Sequence, residues 1–206
     1  MKIALVTAYF YPISSGGTEK YVLNLAKNLI ADQNEVHIIT TGNNEISEYD
    51  GIKIYHIPDE LSNDPEILSG TKASTNLHFF IKLLAQNQYS IIHFHTLTPA
   101  FNIFHIVAAK SLNLKIHFTA HVPSVTCLHG DLIQFGINAC DGLIKEHRCT
   151  ACYISKKGFK KGLSQIMATA VTTLNYPTSI ARIVERKRQN LQLLNKLCDR
   201  IFLFTN

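Results

Sequence analysis

Four short, unbroken apolar runs constrain this chain more than any other feature. They are residues 2–8 (KIALVTA), Glu35–Thr40 (EVHIIT), Ile91–His95 (IIHFH) and Lys115–Thr119 (KIHFT). A continuous run of this length, bounded by turn residues, reads as a strand buried on both faces, which is the habit of parallel sheets. Ile52–Ile57, after the turn at Asp50-Gly51, and Arg200–Thr205 read as two further strands. Between the runs, apolar residues recur at helical spacing. Val22, Leu25, Ala26, Leu29 and Ile30 mark one face, with Thr18 as cap and Glu19 suited to the positive helix start. Asn76–Ala85 reads as a second helix, and a third runs to about Leu112 with Pro99 in its first turn. Residues 59–71, with Pro65 and Gly70, read as loop. Strand alternating with helix predicts an α/β doubly wound parallel sheet of Rossmann-like form, with right-handed crossovers and ligands at the carboxyl ends of the strands.

The regularity stops at His121. Residues 124–157 hold four cysteines and little periodicity, so they read as an irregular cysteine-rich insertion. After them, Phe159, Leu163, Ile166, Met167, Ala170, Val171 and Leu174 trace a helix face, and Ser179–Leu197 predicts another helix. A length of 206 residues with 46% hydrophobic and 17% charged side chains suits one domain carrying an insertion and excludes a disordered chain. The net charge of +5 is compatible with phosphates or anionic lipid. The first apolar run breaks at Tyr11-Pro12 without a small-residue cleavage site, and no window reaches the length of a membrane span. A cytoplasmic protein is expected, in which cysteines serve metal binding or simple burial rather than a disulfide framework.

Gly16 and Gly17 lie between the first strand and the first helix, where glycine admits a close ligand and helix amides favour an anion. The spacing is neither G-x-G-x-x-G nor a P-loop, so two turn glycines remain an equal reading. Of ten histidines, His37, His56, His93, His105 and His117 fall inside elements, where structural hydrogen bonding is the usual role. His95 and His121 differ, because each closes a strand where such a sheet binds ligands. Cys127, Cys140, Cys149 and Cys152 offer a tetrahedral four-thiolate site through the Cys-x-x-Cys pair, with His129 and His147 as substitutes. A structural zinc, buried free thiols, and an iron–sulfur cluster or disulfide all stay open, whereas Cys198 reads as buried and inert. Lys156, Lys157, Lys160 and Lys161 form either a solvated face or a contact for anionic lipid. Aromatic residues among them are too sparse for nucleic acid.

Residues 1–40, with Tyr-Pro, a Gly-Gly pair, Leu-Ala-x-x-Leu and a strand ending in Thr, resemble the opening of the family-four retaining glycosyltransferases of GT-B architecture. IIHFHT at 91–96, TAH at 119–121 and Asp199-Arg200-Ile201 are similar to that family's later strand ends and to the start of its last N-terminal strand. The resemblance covers nearly all of 1–206 apart from the cysteine segment, and some family members carry such a segment at this point. It implies the N-terminal, acceptor-side half of a hexosyltransferase-type enzyme (EC 2.4) in polysaccharide biosynthesis. Such an enzyme moves a sugar from a nucleotide-diphospho-sugar to a glycan or lipid-linked acceptor with retention and without catalytic metal. Gly16 and Gly17 would face the donor diphosphate, His121 the reacting sugar, and His95 the same rim. The resemblance also implies a C-terminal donor-binding domain absent from these residues, supplied in cis or in trans, so that this chain alone is expected to be inactive. A non-catalytic binding module, or one subunit of a split transferase, is the alternative. Peripheral contact with the inner membrane face would suit a lipid-linked acceptor.

Overall fold

The structure, a computed structural model, describes residues 1–58, 64–68, 70–173 and 179–203. In chain order its elements are β1 (Lys2–Val6), α1 (Gly17–Ala31), β2 (Glu35–Gly42), β3 (Ile46–Tyr49), β4 (Ile52–Pro58), α2 (Pro65–Leu68), α3 (Leu77–Asn87), β5 (Ile91–His95), α4 (Ile103–Ser111) and β6 (Lys115–Ala120). A single 3-10 turn (Pro123–Val125) follows, then β7 (Ile133–Gln134), β8 (Asn138–Ala139), α5 (Glu146–Ser155), α6 (Lys161–Thr173), α7 (Ser179–Leu197) and β9 (Arg200–Leu203). These form two compact units, Met1–His121 with Leu194–Asn206, and Val122–Leu193.

The first unit is a seven-stranded sheet in the order β3-β4-β2-β1-β5-β6-β9. Every neighbouring pair is parallel except β3 with β4. The expected doubly wound parallel sheet is therefore present. The inner strands show why their sequences carry no alternation: Leu5, Ile38, Ile54, Ile92, Ile116 and Phe118 are all fully buried, and helices can cover both faces of such a sheet. On α1, Val22, Leu23 and Ala26 pack with Ile3, Leu5, Val36, Ile38, Ile52 and Ile54. Removing each large aliphatic side chain from water contributes about 1.5–3 kcal/mol.

Several local expectations shift. The N-cap of α1 is Gly16, two residues before Thr18. Pro99 lies ahead of α4, which is capped instead by Asn102. The Asn102 side chain accepts from Phe104 N–H, and His105 reaches back to the Asn102 backbone N–H. That reciprocal cap explains a histidine with no solvent exposure. Strand β3 went unread because ISEY offers only two apolar residues. It is a short edge strand, joined to β4 by a turn in which Asp50 and Gly51 both take positive φ. The predicted loop at 59–71 contains the one-turn α2, and residues 59–63, 69, Leu174 and Phe204–Thr205 lie outside the described residues.

Asp199 explains the Asp-Arg-Ile stretch in structural terms. Its carboxylate accepts Ile116 N–H at 2.8 Å and pairs with Lys110 at 3.1 Å, while its own N–H donates to Ile116 O at 2.7 Å. Two contacts thus dock the start of β9 on β6 and a third ties it to α4, and the Ile116 hydrogen bond is the first cause holding the Asp199 carboxyl below its ordinary pKa.

The second unit is built differently. Residues 124–157, expected to be irregular, contain the ten-residue α5, which carries Cys149 and Cys152. Among the described residues its core is small: a cluster of Ala151, Ile154 and Ala168, with Phe135, Met167 and Ile180 against them, and the buried Val184 besides. Helix α6 buries Ser164 and Ala168 and leaves Leu163 and Ile166 outside, 50% and 69% exposed. Leu163 and Ile166 therefore do not face inward as their spacing suggests, whereas Met167 does, and the small Ser164 and Ala168 sit where α6 meets its neighbours.

Candidate functional site at the strand ends

The sheet order reverses between β1 and β5: β2 and β4 extend from one side, β6 and β9 from the other. A crevice forms at the carboxyl ends beside such a switch point. The four predicted rim residues, Gly16, Gly17, His95 and His121, flank it. β1 leads through residues 7–16 to the start of α1, β5 ends at His95, and β6 leads into His121.

The two glycines have different reasons to be there. Gly16 caps α1 in an extended conformation and contributes no side-chain cap, so the first amides of α1 lack a side-chain partner from that position. A Cβ on Gly16 would sit 2.7 Å from Glu19 Oε2, whereas one on Gly17 would meet nothing within 4 Å. Glu19 folds back over Gly16, only 8% exposed, and accepts a 2.7 Å hydrogen bond from Ser14 Oγ. Its charge acts on His121. Read from sequence only as a helix-start acid, Glu19 is a buried member of the site.

His95 Nδ1 and His121 Nε2 are 3.0 Å apart. The Tyr21 ring stands edge-on to both, its centroid 5.0 Å from that of His121 and 5.9 Å from that of His95. Tyr21 follows Gly17 by one helical turn, which links the glycine loop to the histidine pair. The backbone is pinned as well: Thr96, at φ 71°, donates its N–H to Thr119 O and accepts His121 N–H on its hydroxyl at 3.1 Å. Behind the pair, His93 Nε2 bonds Thr119 Oγ1 at 2.7 Å, and its ring lies 4.3 Å from His95.

Burial decides the charge of this cluster. It pushes His93 down to about 3, His95 well below the ordinary 6.5, and His121 below 6.5 against the opposing pull of Glu19. All three are neutral at neutral pH. Among the described residues His95 Nε2 is buried without a partner. An unpaired lone pair costs less than an unpaired N–H, which places the His95 proton on Nδ1. His95 then donates to His121 Nε2, and the His121 proton sits on Nδ1. The pair is an oriented, neutral donor system at the rim.

His37 and His56 behave as structural histidines: His37 bonds Tyr89 at 3.0 Å and His56 bonds Ser47 at 2.7 Å. Cys127, Cys140, Cys149 and Cys152 are half-buried free thiols lining one cavity of the second unit, with His129 and Arg148. His147 turns to Thr169 and is not part of the lining. Among the described residues, no three His, Cys, Asp or Glu side chains already stand at metal-holding spacing. Cys198 is half-buried and its thiol is pushed up to about 12 by burial. Lys156, within the basic stretch, is paired with Asp131.

The sequence model of Glycosyltransferase Family 4 matches residues 15–157. Among curated proteins none matches the chain. Three solved structures are similar in part. The catalytic domain of starch synthase IV from Arabidopsis thaliana, bound to ADP and acarbose, is 14% identical with a TM-score of 0.47, over 100% of this chain and 51% of that one. Sucrose-phosphate synthase from Thermosynechococcus elongatus is 16% identical with a TM-score of 0.43, over 60% and 34%. MurG from Acinetobacter baumannii is 14% identical with a TM-score of 0.42, over 59% and 35%. The chain thus spans about a third to a half of the length of these structures.

Proposed function

The chain belongs to Glycosyltransferase Family 4, and from that premise we propose that it forms the acceptor-side half of a GT-B sugar transferase. The reaction is transfer of a hexosyl group, with retention, from a nucleotide-diphospho-sugar to a glycan or lipid-linked acceptor. The observation that carries this reading is the convergence of Gly16, Glu19, Tyr21, His95 and His121 beside the β1/β5 switch point.

Each residue has a physical task. As the glycosidic bond breaks, negative charge grows on the departing diphosphate, and the amide-rich start of α1 at Gly16 and Gly17 favours that charge. His121, neutral and oriented by His95, donates from Nδ1 to a sugar oxygen near the reacting carbon. Tyr21 packs edge-on against that imidazole and restricts its rotation, and the Glu19 charge acts on it. No catalytic metal enters this scheme. The nucleotide is gripped by a second, C-terminal domain in cis or in trans, and turnover requires it.

No described helix is long and apolar enough to cross a membrane. A lipid-linked acceptor would be met at the inner membrane face, and α6 supports that placement. Phe159, Leu163 and Ile166 are exposed there, next to Lys157, Lys160 and Lys161.

The test is a thermal-shift screen of UDP-, GDP- and ADP-sugars on the two-domain protein. One nucleotide class should raise the melting temperature, since ligand at a hundredfold excess over Kd adds about 2.7 kcal/mol. Silence from every sugar nucleotide, together with no transfer to any acceptor, would leave a binding module in place of an enzyme.

A further inference from the structure

Residues 126–152 pose a stability problem that their packing does not answer. Leu132 and Phe135 take positive φ, as do Gly130, Gly136 and Gly142, so the segment is a series of tight turns. From Cys127 to Cys149 no side chain is fully buried; the buried residues begin at Thr150, on α5. A segment this long with so little apolar burial needs another source of order.

Its cysteines surround one cavity. Cys127 comes from the turn closed by Gly130 N–H donating to Cys127 O, and Cys140 comes from the end of the β7–β8 hairpin, tied by its N–H to Leu132 O at 2.7 Å. Cys149 and Cys152, three apart on α5, present both sulfurs on one helix face. All four line the same cavity. We propose that this cavity is a structural zinc site, with Cys127, Cys140, Cys149 and Cys152 as its four ligands.

Three observations support thiolate ligation over simple burial. First, backbone N–H groups point at the sulfurs. Phe135 N–H donates to Cys152 Sγ at 3.3 Å, and the amides of His129, Gly130, Asp131 and Leu132 face Cys127 Sγ. Such donors hold and orient metal-bound thiolates. Second, cations stand where a four-thiolate zinc complex of net charge −2 would need them. The Arg148 guanidinium acts on Cys140 and Cys149, and Lys187 acts on Cys127. Asp141 and the Leu143 carbonyl anchor Arg148 in that position. Third, the ligands come from three separate stretches of the segment, so one ion would cross-link all of it. On binding, the four S–H protons leave to solvent, four Zn–S bonds form, and nothing is oxidised or reduced. Among the described residues the sulfurs do not stand at coordination spacing, so ligation requires them to move toward one another as the ion binds.

The experiment uses the 206-residue chain, purified without added chelator. Elemental analysis should find about one zinc per chain, lost in Cys149→Ser/Cys152→Ser and kept in Cys198→Ser, whose thiol lies outside the cavity. Cobalt exchanged into the wild-type chain should give the visible bands of a tetrahedral thiolate complex. A strong chelator should lower the melting temperature of the wild type, a readout that survives even if the double variant does not fold. Less than about 0.2 zinc per chain with all five thiols reactive would overturn the proposal. So would a mass about 2 Da low, which marks a disulfide, or stoichiometric iron with sulfide.

Discussion

The two compact units are held by different means. In the first, strands β1, β2, β4, β5 and β6 bury a continuous apolar interior, and its ten Lys and Arg against eleven Asp and Glu leave a net charge of −1. Among its described residues the second buries only small or medium apolar side chains, Ala151, Ile154, Ala168 and Val184, carries ten Lys and Arg against four Asp and Glu for a net +6, and exposes Phe159, Leu163 and Ile166. A sheet buried on both faces can hold histidines neutral and oriented at its rim without any other support. A unit with little to bury must draw order from charge pairs such as Lys156 with Asp131, from a bound ion, or from a surface it meets.

The largest test of that contrast is a core truncation in each unit. Phe118→Ala should cost about 3–5 kcal/mol in urea unfolding, because Phe118 is fully buried in β6. Ile154→Ala, in the smaller core, should cost about 2 kcal/mol. Equal losses would mean that the second unit is packed as well as the first.

Acid gives the next effect. His93, His95, His105 and His121, all in the first unit, have folded pKa values pushed below 6.5 chiefly by burial. The unfolded chain therefore binds more protons, so their contribution to stability is complete above about 6.5 and is lost as pH falls toward about 3, the value of His93 and His105. Melting followed from about pH 7 to pH 4.5 should decline by several degrees. A first unit that melts higher in acid would contradict neutral, buried histidines.

A smaller effect comes from Gly16→Ala. Its φ of −76° accepts alanine, so stability should change little, but the new methyl displaces the Glu19 carboxylate. Transfer by the two-domain protein should fall roughly tenfold. Full activity would show that Glu19 is free to move without consequence. The smallest is Asp199→Asn, which weakens the docking of β9 on β6. Solvent screening limits the cost to about 0.5–1 kcal/mol, measurable by chemical denaturation. A cost several times larger would mean that β9 matters more to the sheet than its exposure suggests.

Much of the first unit was legible in the sequence because parallel strands buried on both faces leave unbroken apolar runs, and six of its seven strands were read close to their true places. Strand β3 was not, since an edge strand of mixed polarity has no such signature. The rim positions of His95 and His121 followed from strand ends alone. Their mutual hydrogen bond did not, nor did Glu19 and Tyr21, because contacts between α1 and the ends of β5 and β6 join residues more than 70 apart in sequence. In the second unit, the α6 face was misassigned because helical spacing locates apolar residues without saying which face finds a partner. There the partner is α5, met through Ser164 and Ala168.

The central claim is that His121, oriented by His95, acts on the transferred sugar. Replacing it with alanine in the two-domain protein and comparing kcat with the melting temperature tests this directly. A fall in kcat of about 10²–10³-fold, as for loss of one oriented donor, with the melting temperature held within about 2 °C, is the predicted result. Unchanged turnover, or a loss of activity that only follows a loss of folded protein, would contradict it.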